Sequence, residues 1–371
     1  MKFLRLLLFL ALLGHPISAA EIPFYIGTFT DNAPSKGIYC ASIDPATGKL
    51  GPLTLAAEAK NPNFLAFSPD GNFLYAALRP VESQVGAFAR RPDGTLSLLN
   101  QEPSGGDGMC HIWVDGSGRN VLVAHYGSGN IASFPIKPDG SVGERTAFVQ
   151  FTGSGPDPKR QPKPHAHSIY TDPENHFVYC CDLGTDNVWT FKFDAAHGTL
   201  QANNPPASKV APGSGPRHLV FHPNGKFVYV ANEMGHSVTV FQRDGKSGLL
   251  TALQTVPTLP KEIPGGEITT AEIVCHPSGR WLYVSNRGCD TVAVYAIGAD
   301  GKLTFLQSTS AMVVFPRSIA IDPTGKWLIS AGQKDNKIAV LKIDQATGQL
   351  TPTDQFAEVG SPVCILFPPQ K

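Results

Sequence analysis

The sequence carries little charge and no excess of either sign. Asp, Glu, Lys and Arg make up only 16% of its 371 residues, and 30 basic residues balance 30 acidic ones, so the formal net charge is zero. A protein that binds nucleic acid through a broad basic surface normally carries a clear excess of Lys and Arg. The composition therefore argues against a nucleic-acid partner.

Long hydrophobic runs are also missing, apart from one at the N-terminus. There, Lys2 and Arg5 precede the apolar stretch 6–13, which is too short to span a bilayer, and residues 18–20 (Ser-Ala-Ala) fit a cleavage site. We predict that residues 1–20 are a signal peptide and that the chain is exported, to the periplasm or the medium, with no membrane segment after cleavage. A retained anchor helix is the alternative.

The sequence lacks the motifs of metal and cofactor chemistry. Its seven cysteines are odd in number, follow no metal-ligand spacing and mostly lie in apolar strand patterns. No Ser-His-Asp order and no glycine-rich phosphate loop is present. We therefore expect no metal and no organic cofactor. Metal dependence of the activity, the oligomeric state and any disulfide pairing stay open.

Glycine and proline, by contrast, are abundant, with 37 and 32 copies spread along the whole chain. They occur in turns that separate short apolar segments, a pattern typical of an all-β protein. One pattern, an apolar strand, a Pro-x-Gly type of turn and a second strand, recurs six times. Its copies span 61–79, 108–126, 164–183, 215–233, 270–287 and 315–333. Two further strands follow each copy, and the mean period of about 51 residues predicts a β-propeller.

The two ends of the chain supply a seventh copy. Segments 24–30, 37–50 and 53–59 match the second, third and fourth strands of the repeat, and segment 361–367 matches the first. Pairing the two ends would leave no free sheet edge. We predict an all-β, seven-bladed β-propeller with four-stranded blades, whose first blade is closed by the C-terminal strand. The whole of 21–371 would form this single domain.

The repeat also predicts which side chains meet at the centre. The first strand of a blade lines the central channel, and the start of that strand lies beside the end of the antiparallel second strand. The alignment gives a first-strand ring of Asn63, Cys110, His167, Arg217, Ala271, Arg317 and Val363. The second-strand ring is Phe29, Arg79, Tyr126, Leu183, Glu233, Arg287 and Gln333.

These two rings bring four arginines, one glutamate and one histidine to the same mouth of the channel. Positive charge is in excess there, which favours an anionic ligand such as a carboxylate, a phosphate or a developing oxyanion. Arginine–glutamate pairs that only satisfy one another are the alternative. His111 and His218 lie one residue beyond the first ring, and we predict that they point away from the channel, between blades.

Two long connections are predicted on the rim of this mouth. The segment 152–167 carries Lys159, Arg160, Lys163 and His165, and the segment 257–268 precedes the sixth blade. Long loops on one face of a rigid scaffold commonly carry function. A solvated basic loop without a ligand is the alternative for the first segment.

The motifs "PHAHS", "GPRHLVFHPNGK", "NE", "NRG" and "PRSIAIDPTGKWLISAGQK" occur in this order along the mature chain. Together they resemble the seven-bladed propeller lactonase family, which includes bacterial 6-phosphogluconolactonases and fungal 3-carboxy-cis,cis-muconate cycloisomerases. The resemblance implies a catalytic set of His167, Arg217, Glu233 and Arg287. We expect Arg79, His165, Arg317 and Gln333 to orient the substrate.

The resulting hypothesis is a lactone hydrolase, similar to 6-phosphogluconolactonase, that opens a sugar lactone to its aldonic acid. His167 or Glu233 would be the general base, and Arg217 and Arg287 would hold the oxyanion and then the product carboxylate. A substrate phosphate could meet the basic loop. Export instead favours an aldonolactone made outside the cytoplasm. The alternatives are a carboxymuconate-type cycloisomerase and a non-catalytic binding platform.

Overall fold

The computed structural model describes residues 21–31, 33–79, 81–259 and 267–370. The predicted signal peptide and most of the predicted rim segment 257–268 lie outside these ranges. The described strands form seven antiparallel sheets of four strands each. The predicted all-β, seven-bladed propeller is therefore confirmed.

The strands of blades two to seven run outward from the channel in chain order, whereas the first blade has the last strand of the chain at its inner edge. Those of the first three blades are β1 (Ile22–Thr28), β2 (Gly37–Ile43), β3 (Thr54–Glu58), β4 (Phe64–Phe67), β5 (Phe73–Leu78), β6 (Gln84–Arg90), β7 (Leu96–Pro103), β8 (Met109–Val114), β9 (Asn120–His125), β10 (Asn130–Pro135) and β11 (Ala147–Gln150). Blades four and five are built from β12 (Ala166–Thr171), β13 (Phe177–Asp182), β14 (Asn187–Asp194), β15 (Thr199–Lys209), β16 (Pro216–Phe221), β17 (Phe227–Asn232), β18 (Ser237–Arg243) and β19 (Leu250–Pro257). Blades six and seven are built from β20 (Thr269–Cys275), β21 (Trp281–Arg287), β22 (Thr291–Ile297), β23 (Leu303–Ser310), β24 (Pro316–Ile321), β25 (Trp327–Gly332), β26 (Lys337–Ile343) and β27 (Leu350–Glu358), and the last strand is β28 (Pro362–Leu366).

Burial along the strands explains the apolar pattern of the repeat. The second strands β9, β13, β17 and β21 are buried at every position, because both of their faces pack against neighbouring blades. The outermost strand β27 alternates between exposed and part-buried residues, as a strand with one face in water should. The core of the protein is thus a series of apolar layers between blades.

A repeated hydrogen bond links neighbouring blades. A tyrosine in the second strand of five blades donates its hydroxyl hydrogen to the carbonyl of a turn glycine in the following blade. The pairs are Tyr25–Gly94, Tyr75–Gly140, Tyr179–Gly248, Tyr229–Gly301 and Tyr283–Gly348, at 2.8–3.1 Å. These bonds satisfy buried hydroxyls and fix the spacing of adjacent blades.

The C-terminal strand closes the ring as predicted. β28 pairs with β1, with Ile26 opposite Ile365 and Gly27 opposite Cys364, so the first sheet has the order β28-β1-β2-β3. The indole of Trp327 in blade seven also donates to the carbonyl of Pro45 in blade one, at 3.1 Å. The first and last blades are therefore joined both by backbone pairing of β28 with β1 and by this side-chain hydrogen bond.

One irregularity of the inner strands matters for the site. The innermost strands of blades three, four, five and seven each contain one extra residue where the register with the second strand shifts. These residues are Cys110, His167, Arg217 and Arg317. A β-bulge redirects the side chains on either side of it. The same irregularity in four blades thus aims the first predicted ring toward one mouth of the channel.

We expect Ile365→Ala to destabilise the protein by about 2–4 kcal/mol, because Ile365 is 6% exposed and packs where the chain ends meet. Urea unfolding followed by circular dichroism measures the change. Leu98→Ala is the matched control, since Leu98 is 53% exposed and its removal should change stability by less than about 0.5 kcal/mol. Equal effects of the two substitutions would contradict the closing role of β28.

Candidate active site

Glu233 is the centre of the predicted mouth. It follows β17 directly, is 5% exposed, and its backbone N–H donates to the carbonyl of Gly215 at 2.8 Å. Its carboxylate contacts three guanidinium groups: Arg160 Nη2 at 2.5 Å, Arg287 Nη2 at 2.8 Å and Arg217 Nε at 3.2 Å. Burial alone would raise the pKa of Glu233, but Arg287, Arg217 and Arg160 outweigh it and lower the pKa to about 2. The carboxylate is therefore firmly ionised.

His167 lies beside this cluster on the bulge of β12. Its Nε2 is 4.0 Å from Glu233 Oε2, and its Nδ1 is 4.0 Å from Cys110 Sγ. Burial, followed by the charge of Arg217 and smaller effects of His218 and Arg317, lowers the pKa of His167 well below its usual value. At neutral pH the imidazole is neutral and has a free lone pair.

The arginines of the mouth occupy two depths. Arg217 is 2% exposed and lies beneath Glu233, outside the residues that line the cavity. Arg287 and Arg317 reach the cavity wall. Burial, with repulsion from Arg217 and Arg287, lowers the pKa of Arg317 to about 9. In the described part of the chain, the Arg317 guanidinium has no hydrogen bond or ion pair, so it is available to a ligand.

A cavity of about 310 Å³ lies above these groups. Its lining consists of Arg79, Gly108, Cys110, Tyr126, Gly127, His167, Glu233, Arg287 and Arg317. A neighbouring compartment of about 450 Å³ shares Arg79 and Gly108 with it. The first volume suits one sugar-sized molecule, and its lining is strongly cationic. The site therefore favours a ligand that is anionic or becomes anionic as it reacts.

Three of the four residues expected to orient a substrate face these spaces. Arg79 lines both compartments, Arg317 lines the first, and Gln333 lines the second. His165 does not line either one. Instead, its Nδ1 donates to the carbonyl of Tyr126 at 2.7 Å and its ring stacks on the Tyr126 ring at 4.4 Å. His165 thus supports the wall of the cavity through Tyr126.

The basic loop before blade four contributes a residue that was not placed in the predicted catalytic set. Arg160 reaches Glu233 across 73 positions of sequence. Lys163 donates from Nζ to the carbonyl of Gly127 at 2.6 Å, which ties the loop to blade three. The only sequence signal for these contacts was the basic character of the insertion. Two of its three Lys and Arg side chains are therefore already bound by the protein.

The prediction for His111 and His218 was wrong. The two rings lie 5.3 Å apart although they come from blades three and five, and Phe64 of blade two lies 4.2 Å from His111. Side chains of non-adjacent blades can meet only on the axis. The bulge is the reason, because it breaks the strict alternation that would have turned these residues between the blades.

The described residues contain neither a metal-ligand cluster nor a helix that could span a membrane. No group of three or more His, Cys, Asp or Glu side chains is arranged to hold a metal ion. None of the described segments forms a helix with the length and apolar character needed to cross a membrane.

Comparison with known proteins identifies the group to which this arrangement belongs. A family model described as "Lactonase, 7-bladed beta-propeller" matches residues 23–367. The chain belongs to this lactonase family. The resemblance inferred from the motifs is confirmed, and with it the prediction that the protein is a lactonase.

Individual members of the lactonase family match over nearly their whole length. The 6-phosphogluconolactonase of Bacillus subtilis is 33% identical over 347 residues, which cover 92% of this chain and 97% of the relative. The 6-phosphogluconolactonase of Formosa agariphila is 32% identical over 334 residues, which cover 88% of this chain and 94% of the relative. The solved structure of the periplasmic gluconolactonase PpgL of Pseudomonas aeruginosa has a TM-score of 0.89 and 29% sequence identity. The match covers 94% of this chain and 99% of PpgL.

We expect Glu233→Gln to lower stability by about 3 kcal/mol or more at pH 7, since it leaves buried guanidinium groups without a counter-ion. The folded-state pKa of Glu233 lies below its unfolded value, so its contribution is present above about pH 5 and is lost as pH falls toward 2. The wild type should therefore lose about 2 kcal/mol more than the variant between pH 6 and pH 3.

Urea unfolding at the two pH values measures this difference. Glu58→Gln is the control, because Glu58 is an exposed carboxylate on β3 and its removal should change neither the stability nor its pH dependence. An identical loss between pH 6 and pH 3 in wild type and Glu233→Gln would contradict the ion-pair assignment.

Proposed function

We propose that this protein hydrolyses an aldonolactone, the cyclic ester of a sugar acid, in the arginine-lined cavity. The main support for the proposal is that the cavity contains a positive charge without a matching negative one. Its one carboxylate, on Glu233, is held by three arginines, while Arg317 lies over the Phe29 ring, 5.7 Å from its centroid, and has no hydrogen-bond or ion-pair partner among the described residues. An ester whose carbonyl oxygen becomes negative during the reaction would supply the missing anion.

His167 is the general base of the proposed reaction. Glu233 is unsuited to the role, because its pKa of about 2 and its three arginine contacts leave its oxygens weakly basic. His167 is neutral and faces the same cavity. As its ring accepts a proton, the Glu233 carboxylate 4.0 Å away stabilises the imidazolium. This contact offsets part of the cost of charging a buried histidine.

The hydrolysis then proceeds in two steps. A water oxygen bonds to the lactone carbonyl carbon while one water proton passes to His167, and the carbonyl oxygen becomes an oxyanion facing Arg317 and Arg287. The bond between that carbon and the ring oxygen breaks next, and the ring oxygen takes the proton from His167 to become a hydroxyl group. The product is at first a carboxylic acid, which releases its remaining proton to solvent. The resulting carboxylate stays next to the two guanidinium groups, whose planar forks suit it.

Arg217 has a different part in this scheme. It lies beneath Glu233 and contacts it through Nε at 3.2 Å, without reaching the cavity. We assign to it the positioning of Glu233 and the depression of the pKa of His167. This leaves the oxyanion to Arg287 and Arg317, where the sequence had favoured Arg217 and Arg287.

The contacts of the basic loop bear on which lactone the protein accepts. Arg160 and Lys163 are engaged by Glu233 and by the carbonyl of Gly127, so a substrate phosphate would have to displace an ion pair or a hydrogen bond to use them. We therefore favour a lactone without a phosphate group. The periplasmic gluconolactonase among the similar structures supports the same choice.

The test is a pH-stat assay with glucono-1,5-lactone, 6-phosphogluconolactone and carboxymuconate, in which lactone hydrolysis releases a proton and cycloisomerisation of carboxymuconate takes one up. We expect turnover of glucono-1,5-lactone above the spontaneous rate. His167→Gln should lower kcat at least about 100-fold, because it removes the base. Arg317→Ala should lower it by a similar factor, because it removes an oxyanion donor.

Arg91→Ala is the matched control for charge, since Arg91 is exposed on blade two and its side chain hydrogen-bonds only to Ser97 among the described residues. Circular dichroism melting shows that each variant is folded. Turnover of the phosphorylated lactone alone would overturn the choice of substrate. Turnover of carboxymuconate alone would assign a cycloisomerase, and a folded protein inactive on the whole panel would favour a binding platform.

We also propose that the chain is exported and that residues 1–20 are removed. The support is the order of charge, apolar stretch and small residues at the N-terminus. The full chain is expressed in a Gram-negative host. Osmotic-shock fractionation then shows which compartment holds the protein, and mass spectrometry identifies its N-terminal residue. A mature N-terminus at Glu21 in the periplasmic fraction is expected. An intact Met1 in the cytoplasm, with a Lys2→Glu, Arg5→Glu variant behaving identically, would contradict export.

A further inference from the structure

The central channel is blocked by side chains between its two mouths. The rings of Phe64, His111 and His218, from blades two, three and five, meet on the axis with centroid separations of 4.2, 5.3 and 5.6 Å. His111 and His218 are completely buried. We call these three rings the plug. It separates the arginine-lined cavity from the opposite mouth of the propeller, which the proposed lactonase reaction does not use.

The opposite mouth holds a larger cavity, of about 740 Å³, which falls within the range of small-molecule sites. It opens among the turns that contain Pro69, Pro173 and Pro277. Its walls are mainly apolar and rich in aromatic rings. The aromatic lining residues are Phe64, Phe67, Trp113, Tyr170, Phe221 and Phe367. We call this space the lower cavity.

The charge of the lower cavity is opposite to that of the arginine-lined cavity. Three acids line it, Asp115, Asp172 and Glu272, and no Lys or Arg is found among its described lining residues. Both aspartate carboxylates already have partners within the protein. Each accepts hydrogen bonds from backbone amides of its own turn, and Asp172 also forms an ion pair with Arg243 at 2.7 Å. Glu272 is different because it lies next to the plug, away from the turns.

One oxygen of Glu272 is free. Its Oε1 accepts from His218 Nδ1 at 2.7 Å and from the backbone N–H of Ile273 at 3.1 Å. Its Oε2 has no partner among the described residues. Burial raises the pKa of Glu272 to about 7, against the opposing effect of Arg217. Burying the ionised form of this carboxyl group is costly, and a cation placed beside Oε2 would stabilise that form, which marks Glu272 as a candidate for ligand recognition.

We propose that the lower cavity binds a small organic cation, an alkyl- or arylammonium with an apolar body. The charge would lie next to Glu272 Oε2, and the apolar body would lie against the aromatic walls. A carboxylate among aromatic rings provides both attractions that an ammonium group uses, ion pairing and contact with ring faces. An anion is disfavoured here by Glu272, and the arginine-lined cavity repels the cation.

The experiment is isothermal titration calorimetry of the purified protein with benzyltrimethylammonium. Benzyl alcohol and benzenesulfonate serve as neutral and anionic probes with the same aromatic ring. We expect a Kd of about 1 mM or tighter for the cation. Binding of the other two probes should be at least tenfold weaker. Equal affinity for all three probes, or no binding of the cation, would overturn the proposal.

Two variants locate the binding. Glu272→Gln should weaken binding of the cation at least tenfold, and Glu58→Gln, which removes an exposed carboxylate from β3, should not change it. Ala320→Arg places a cation on the half-buried wall of the lower cavity and should abolish binding. It is expected to leave lactone turnover unchanged, so it tests the proposal even if Glu272→Gln fails to fold. Unchanged affinity in Ala320→Arg, or displacement of the probe by gluconate, would place the cation elsewhere.

Discussion

The ion pairing of Glu233 is the interaction on which the site depends. Its carboxylate contacts Arg217 of blade five, Arg287 of blade six and Arg160 of the loop before blade four. Arg217 and Arg287 would each be costly to bury alone, and the three guanidinium groups together would repel one another. The single negative charge makes the cluster possible and leaves it with a net positive charge. In the proposed reaction, that surplus faces a substrate that becomes anionic.

The same cluster separates the roles of two groups that could have been bases. The arginines hold the pKa of Glu233 near 2, so it stays ionised and weakly basic. Burial and the same positive field keep His167 neutral. At neutral pH, two titratable groups 4.0 Å apart therefore differ in charge: the Glu233 carboxylate is ionised and the His167 imidazole is neutral. This is the arrangement that a proton-transfer step from water to histidine requires.

The propeller provides two chemically different mouths from one repeat. Every blade contributes the same hairpin to the channel, yet the bulges at Cys110, His167, Arg217 and Arg317 direct polar side chains to one mouth. Below the plug, the aromatic residues of the inner strands and Glu272 produce an apolar, acidic mouth. A pseudo-symmetric scaffold thus carries opposite electrostatic environments along one axis, because function depends on the individual side chains and not on the repeat.

The sequence by itself determined the seven four-stranded blades, the closure of the first blade by 361–367 and the meeting of His167, Glu233 and Arg287 at one mouth. Period-2 alternation and turn residues are local signals, and a repeat multiplies them. Only the tertiary structure decided the depth of Arg217 beneath Glu233, the contact of Arg160 across 73 positions and the axial position of His111 and His218. The first two depend on contacts between segments that are distant in the chain. The third depends on a bulge of one residue, which strand alternation cannot reveal because it is a departure from that alternation.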